Sequence, residues 1–408
     1  MGIVRREGDR LILPGQASAH SHAFQRGIRG RAQRAAAPGS FWSWRALMYR
    51  FAERLDPDAI HALSRVAYRE LVRGGVTAVG EFHYVHHQPD GTPYDDRVAM
   101  ADAVIAAARE VGLRITLLRV VYERGGWGRP LEGAQRRFVD PEVDAALADV
   151  DTLRARHESD PRVQVGIAPH SVRAVSLPWL RAAHAHARQG ALPFHMHVAE
   201  QRRELAECLA EHGRRPVELL ADEGIVDERF VGVHATHLSR SEAQALGRAG
   251  AFACLCRTTE RDLGDGSPDV GELRRAGVRL CVGVDSHARS DALEELRAIE
   301  LDERVRAEAR LVAAQGTELL AMGSAEGYAA IGQDAAGDEI ALDANDPSLL
   351  GLDGVGDSGD DGVLDDAVVF GADSRAVREV RVAGRALDLE SPSEESAAYA
   401  RTLRALLA

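Results

Sequence analysis

Two histidines lie one residue apart near the start of the chain. His20 and His22 follow a short apolar segment and the turn Pro14-Gly15. On an extended strand, residues i and i+2 project to the same side, so both imidazoles can face one ion. A catalytic zinc site needs about three protein ligands and one position open for water. The same spacing is also typical of two polar residues at an exposed strand end, so the rest of the chain must decide.

Further histidines and acids follow later apolar segments, where predicted strands end. Asp285 ends one segment, where a carboxylate can bind an ion and accept a proton from its water; the alternative is a helix N-cap. Another segment carries both His195 and His197, and the strand period of two cannot choose between them. His234 ends the next segment. The other candidates are Glu81, His83, Tyr84, Tyr122, His170, Arg173, Glu200, His237, Thr258, Thr259, Glu260 and His287.

The elements that must position these residues begin to alternate regularly at residue 56. The predicted strands are 77–83, 115–122, 163–169, 193–198, 230–235, 252–257 and 280–285, and the predicted helices are 56–74, 95–111, 141–158, 177–189, 201–212, 240–249 and 270–276. With the first stretch there are eight strands, and parallel strands with helical crossovers close into a barrel at that number. Barrel enzymes build their sites at the C-terminal ends of the strands, where the polar residues are predicted to converge.

The ends of the chain and one long connection follow a different pattern. After a helix at 292–313, short apolar segments at 339–342, 367–370 and 377–382 predict a small satellite sheet joined by residues 2–13. We predict a catalytic barrel over 14–325, a small β domain of 1–13 plus 326–390, and a C-terminal helix over 391–408. The connection at 26–55 contains Phe41-Trp42-Ser43-Trp44-Arg45, and we interpret it as a lid or a subunit contact.

Composition narrows the class of protein. The net charge of −13 over 408 residues argues against a general nucleic-acid binder. Every basic residue other than histidine is arginine, so Schiff-base chemistry, a P-loop and a lysine-bridged two-metal site are excluded. With no apolar segment near the roughly 18 residues of a membrane span and no signal segment, we expect a cytoplasmic enzyme for a small molecule, with no membrane partner. The four cysteines are interpreted as small apolar residues of buried strands rather than metal ligands: Cys208, Cys254, Cys256 and Cys281.

Several strings together resemble a known family. His-x-His after Pro14-Gly15, the motif His197-Val198-Ala199-Glu200, His234 and Asp285 resemble the single-zinc deaminase branch of the amidohydrolase superfamily. The strings at 20–26, 41–45, 81–87 and 263–266 resemble, more narrowly, the formimidoylglutamate deiminase family of histidine degradation. This resemblance runs from about residue 11 to the C-terminus. It implies an α/β fold, a (β/α)8 TIM-like barrel of the metal-dependent hydrolase type with a small satellite sheet, and a homodimer.

The resemblance also implies a role for each matching position. One zinc ion, or alternatively iron, would be bound by His20, His22, His197 and Asp285. Glu200 and His234 would carry protons. The glutamate portion of the substrate would be held by Gln25, Arg45, Tyr84, His170 and Arg173.

The chemistry expected of these residues agrees with the implied reaction, which is hydrolytic deimination of N-formimidoyl-L-glutamate to N-formyl-L-glutamate and ammonia. Zinc lowers the pKa of water from about 15.7 to about 7, and the resulting hydroxide would attack the formimidoyl carbon. Asp285 and His234 could take the water's proton, while Glu200 protonates the leaving nitrogen. Arg45 and Arg173 could bind two carboxylates. The alternatives are a deaminase of an aminopurine, cytosine or triazine, and a non-catalytic metal-binding scaffold.

Overall fold

The computed structural model describes residues 2–34, 41–352, 355 and 362–408, and its strands form two sheets. The small sheet begins with β1 (Arg5–Glu7) and β2 (Arg10–Pro14). The eight strands of the large sheet are β3 (Gln16–Ser21), β4 (Val76–His83), β5 (Arg114–Val121), β6 (Val163–Pro169), β7 (Phe194–Val198), β8 (Phe230–His234), β9 (Phe252–Leu255) and β10 (Arg279–Val282). The small sheet is completed by β11 (Glu339–Asp343), β12 (Val377–Val382) and β13 (Arg385–Ala386).

The large sheet is the predicted (β/α)8 barrel, with parallel neighbours in sequence order from β3 to β10. Its strands are buried along almost their whole length, as expected of strands covered by helices on one face and by a packed interior on the other. A backbone bridge joins the ends of the two edge strands. The N–H of His22 donates to the backbone carbonyl of Asp285 at 2.9 Å, and the N–H of Asp285 donates to the backbone carbonyl of His20 at 3.1 Å. This closure brings three predicted metal ligands together at the C-terminal rim.

Helices connect the strands on the outside of the barrel. For example, α2 begins after Asp56, whose side chain accepts the N–H of Ala59 at 2.7 Å, with Pro57 in the first turn. Among the described helices, none has the length and apolar character needed to cross a bilayer. In chain order they are α1 (Phe41–Ala52), α2 (Pro57–Arg73), α3 (Ala99–Val111), α4 (Val143–His157), α5 (Leu177–Gly190), α6 (Arg202–His212), α7 (Pro216–Asp222), α8 (Arg240–Arg248), α9 (Arg257–Leu263), α10 (Val270–Arg275), α11 (Ala292–Ala307), α12 (Gly316–Gly323), α13 (Ala325–Ala330), α14 (Val363–Gly371) and α15 (Ser393–Leu407).

The small sheet is antiparallel, in the order β1-β2-β11-β12-β13, and the chain passes directly from it into the barrel. Gly15 makes this passage between β2 and β3, and a Cβ there would lie 2.3 Å from Thr77 Oγ1, so no larger residue fits. Asp338, just before β11, accepts two hydrogen bonds from Arg114 of β5, at 2.8 and 3.0 Å. Both side chains are buried, so this ion pair fastens the small sheet to the barrel.

The segment at 367–370 was predicted as a strand, and that prediction is wrong. It lies in α14, which packs against α11 and α12. Leu364 and Val368 are buried one helical turn apart, and a short apolar run does not distinguish a helix from a buried strand. Asp365 of the same helix accepts the backbone N–H of Val4 at 2.7 Å, which ties the N-terminal segment to α14. The segments at 339–342 and 377–382 are strands, as predicted.

The long connection at 26–55 contains more regular structure than a loop. It begins within a 3-10 helix, Ala23–Ile28, and includes α1, while residues 35–40 lie outside the described part of the chain. Five residues of α1 line the pocket at the C-terminal rim of the barrel: Phe41, Trp44, Arg45, Met48 and Tyr49. The helix therefore covers that pocket, and its action as a lid or a subunit contact stays a prediction.

Candidate active site

Three imidazoles and one carboxylate meet at the closed rim, and we call them the histidine cluster: His20, His22, His197 and Asp285. Nε2 of His197 lies 3.2 Å from Nε2 of His20, and ligand atoms of the three histidines lie within 4.8 Å of one another. Oδ1 of Asp285 lies 3.5 Å from Nε2 of His20 and 3.4 Å from Nε2 of His22. The structure thus brings together all four predicted metal ligands, from the ends of β3, β7 and β10.

Hydrogen bonds behind the imidazoles determine which nitrogen faces the cluster. Nδ1 of His22 lies 2.9 Å from the carbonyl of Phe82, and Nδ1 of His197 lies 3.1 Å from the carbonyl of His170. Because a carbonyl only accepts, Nδ1 carries the proton in both rings and Nε2 has a lone pair. Burial lowers the pKa of both imidazoles, which favours the neutral rings. With Asp285, these lone pairs form the nitrogen and oxygen donor set that zinc takes.

His195, the alternative ligand on β7, lies away from the cluster. Its Nε2 donates to the carbonyl of Ala330 at 2.8 Å, in the helix α13 that packs against the interior of the barrel. Burial lowers the pKa of His195 to about 4, so the ring is a neutral donor. Cys254 and Cys256 belong to the same buried apolar layer, in agreement with their interpretation as small core residues.

The two predicted proton carriers face each other beside the cluster. Nε2 of His234 lies 3.8 Å from Oε1 of Glu200 and 3.9 Å from Oδ2 of Asp285. Burial raises the pKa of Glu200 to about 8. Burial lowers the pKa of His234, but the carboxylates of Glu200, Glu260 and Asp285 outweigh it and raise the value to about 10. Glu200 therefore holds a proton near neutral pH.

Glu260 lies behind His234 and has a role that the sequence did not suggest. Its Oε1 is 3.4 Å from Nδ1 of His234 and accepts the backbone N–H of Cys256 at 2.9 Å. A carboxylate at Nδ1 favours the tautomer with its proton there, which directs Nε2 toward Glu200. The only sequence signal was its position after a predicted strand.

Glu204 is a second buried acid that sequence reasoning missed. Its two carboxylate oxygens accept the backbone N–H groups of Ala199 and Glu200, both at 3.2 Å. Ala199 has a φ of +52°, in the left-handed region that non-glycine residues seldom adopt. Glu204 therefore stabilises the strained turn from which Glu200 projects. Its signal in the sequence was an acid four residues after Glu200, in the first turn of α6.

A pocket opens from the histidine cluster toward α1. Gln25 is buried at its wall, where Nε2 donates to the Tyr84 hydroxyl at 2.8 Å and Oε1 has no hydrogen-bond partner in the described ranges. The pocket includes all five residues predicted to hold the substrate, namely Gln25, Arg45, Tyr84, His170 and Arg173.

Two guanidinium groups line this pocket without a strong acid partner. Arg173 is partly buried and makes no ion pair within 4 Å and no hydrogen bond with any residue that the structure describes, although the more distant carboxyl groups of Glu204 and Glu200 help to raise its pKa. Nη2 of Arg45 lies 3.7 Å from Oε2 of Glu132, whose side chain is 64% exposed, so water screens that pair. The pocket therefore combines a polar, acid-rich end at the histidine cluster with two cations available to an anion.

Comparison with known proteins agrees with this geometry. The sequence model of the amidohydrolase family matches residues 11–387 of this chain. The chain is 39% identical over 391 residues to a formimidoylglutamate deiminase from Pseudomonas aeruginosa, covering 92% of this chain and 84% of that protein. A crystal structure of an amidohydrolase from Brucella melitensis has a TM-score of 0.88 at 32% identity, covering 99% of this chain and 96% of that one. A zinc-bound adenosine deaminase from Xanthomonas campestris shares the fold, with a TM-score of 0.80 at 22% identity. The match covers 98% of this chain and 85% of that one. The chain belongs to the amidohydrolase family and is an enzyme that hydrolyses C–N bonds.

Proposed function

We propose that this enzyme is a zinc-dependent formimidoylglutamate deiminase, which converts N-formimidoyl-L-glutamate and water to N-formyl-L-glutamate and ammonia. The observation that carries the choice of substrate is the guanidinium of Arg173, which lines the pocket partly buried and makes no hydrogen bond or close ion pair with an acid in the described chain. A cation in that setting favours an anionic ligand. The Pseudomonas aeruginosa formimidoylglutamate deiminase, at 39% identity, supports the same substrate.

Charge determines the orientation of the substrate in this proposal. The two carboxylates of the glutamate portion are repelled by Asp285 and are attracted to Arg45 and Arg173. The formimidoyl end, an amidine that readily takes a positive charge, then faces the acids beside the histidine cluster. Gln25 Oε1, which has no partner within the described residues, is available to accept a substrate N–H. An uncharged purine or triazine ring would leave both guanidinium groups unpaired.

The residues of the chain would divide the proton transfers among them. A zinc ion on His20, His22, His197 and Asp285 would supply Lewis-acid activation of water near neutral pH. Asp285 would accept the proton that this water loses, and His234, whose pKa the neighbouring carboxylates raise to about 10, would hold a proton between Asp285 and Glu200. Glu200, protonated because burial raises its pKa to about 8, would give a proton to the nitrogen that leaves as ammonia. The carbon keeps its bond to the glutamate nitrogen, so the coproduct is the N-formyl compound.

The proposal extends to the setting of the reaction. By its resemblance to the formimidoylglutamate deiminase family, the enzyme would act in histidine degradation as a cytoplasmic homodimer. The oligomeric state is measurable by light scattering during gel filtration, where a monomer at micromolar concentration would contradict it.

The decisive experiment is ammonia release by the zinc-loaded enzyme. We expect release from N-formimidoyl-L-glutamate, with N-formyl-L-glutamate as coproduct, and none from adenosine, guanine or cytosine at the same concentration. Treatment with a chelator should abolish release, and added Zn²⁺ should restore it. Release from one of the ring compounds but not from the amidine would reject the substrate. No release from any of them, with one equivalent of metal bound, would reject the activity.

A further inference from the structure

Three guanidinium groups surround one indole at the edge of the pocket. The ring of Trp42 lies 4.3 Å from the guanidinium carbon of Arg203, 4.6 Å from that of Arg45 and 5.8 Å from that of Arg173. All three distances lie within the roughly 6 Å at which a cation is attracted to an aromatic face. Like charges repel, so such a cluster needs a shared partner to hold it together.

The three arginines come from separate parts of the barrel. Arg45 lies one helical turn after Trp42 on α1, Arg173 follows β6, and Arg203 lies in the first turn of α6. Arg203 also donates to Glu207 at 2.7 Å and does not line the pocket. Trp42 therefore joins the covering helix α1 to the loop after β6 and to the start of α6, at the mouth of the barrel.

Trp42 itself is not among the residues that line the pocket, whereas Arg45 and Arg173 both are. Arg45 has a second aromatic contact, with the ring of Tyr49 at 5.2 Å. Within the described residues, the ring of Trp42 is the only aromatic face over which the Arg173 guanidinium lies. The indole is thus the aromatic group that can hold the Arg173 guanidinium before substrate binds.

We propose that Trp42 is a positioning residue for carboxylate recognition: it holds Arg45 and Arg173 in place for the substrate's anionic end, which makes docking of α1 part of substrate binding. The inference rests on the proposed function, because the carboxylates belong to that substrate. Trp42 acts through the arginines and touches none of the reacting atoms. Its loss should therefore raise KM and leave kcat nearly unchanged.

The test is a double-mutant cycle that combines Trp42→Leu with Arg173→Ala. Trp42 is partly buried, so Trp42→Leu alone should raise KM about tenfold, which corresponds to about 1.4 kcal/mol and lies within the range of cation–π contacts. In the Arg173→Ala background the same change should raise KM by a smaller factor, because only the contact of Trp42 with Arg45, among its contacts with the pocket arginines, is then lost. Trp42→Phe, which keeps a smaller aromatic face, should restore part of the loss. The matched control is Trp179→Leu, a partly buried tryptophan on α5 outside the pocket, which should leave KM unchanged.

Two outcomes would overturn the inference. An unchanged KM in Trp42→Leu would remove Trp42 from recognition. An equal increase in both backgrounds would show that Trp42 does not act through Arg173, contrary to the inference. Zinc content should stay the same in every variant.

Calorimetric binding of N-formyl-L-glutamate, a dianion that keeps the glutamate portion, separates this inference from the proposed function. If the wild type binds it but releases no ammonia from the amidine, the function fails, and about tenfold weaker binding by Trp42→Leu still supports the inference. Equal binding by the two proteins overturns the inference whatever the activity. A wild type that does not bind it overturns the inference, and the function is then decided by ammonia release alone.

Discussion

Replacing Arg173 with alanine tests the carboxylate-binding end of the pocket directly. The guanidinium is partly buried and makes no hydrogen bond to an acid in the described chain, so its N–H groups are available for a bidentate pair with one substrate carboxylate. Hydrogen bonds to charged groups contribute about 1.5–3 kcal/mol, and two parallel bonds in a sheltered pocket place this pair near the upper limit. A loss of about 3 kcal/mol corresponds to roughly a 150-fold increase in KM.

The assay is steady-state ammonia release from N-formimidoyl-L-glutamate, with zinc measured in the same samples. We expect kcat and zinc content close to those of the wild type, because Arg173 is neither a predicted metal ligand nor a proton carrier. The matched control is Arg181→Ala, which removes an exposed arginine of α5 that pairs with Glu223. A KM within about threefold of the wild-type value would refute the assignment of Arg173. A loss of zinc would mean that the effect is indirect.

Three further predictions concern other parts of the molecule. Glu200→Gln should lower kcat by about 10²–10⁴-fold with zinc content unchanged, since the Glu200 carboxyl is proposed to move a proton and not to bind the ion. Parallel kinetics and metal analysis check this prediction, and a loss of metal would contradict it. Asp338→Ala should lower the free energy of unfolding in urea titrations by about 3–5 kcal/mol, because it leaves Arg114 buried without its partner. The control Arg5→Ala, which removes an exposed ion pair with Glu7, should lower the free energy of unfolding by at most about 1 kcal/mol. The four cysteines are buried, and burial raises the pKa of Cys208 to about 12. An aromatic disulfide reagent should therefore label the native enzyme slowly and all four thiols rapidly after unfolding, and a thiol that reacts rapidly in the native enzyme would contradict the packing.

Most of the barrel could be predicted because its signals are local. Each strand is a short apolar segment between amphipathic helices, and the observed strand β6 coincides with the predicted one at 163–169. The prediction failed where the local signal is ambiguous. The apolar residues at 367–370 suit a helix as well as a strand, and the packing of α14 against its neighbours decided between them. The connection at 26–55 was expected to be a loop, but α1 folds there by placing Phe41, Met48 and Phe51 in buried positions.

The sequence by itself determined which positions could carry the chemistry, because parallel barrel strands all end at one rim and side chains alternate along each strand. His20, His22 and Asp285 were identifiable on that basis. The strand period could not decide between His195 and His197, since both share one face; the family resemblance favoured His197, and the tertiary structure shows that the two rings differ in depth within the barrel. Contacts between distant residues were also beyond the sequence. Arg173 lies beside Trp42 because the loop after β6 and helix α1 meet in three dimensions, and spacing along the chain does not encode that contact.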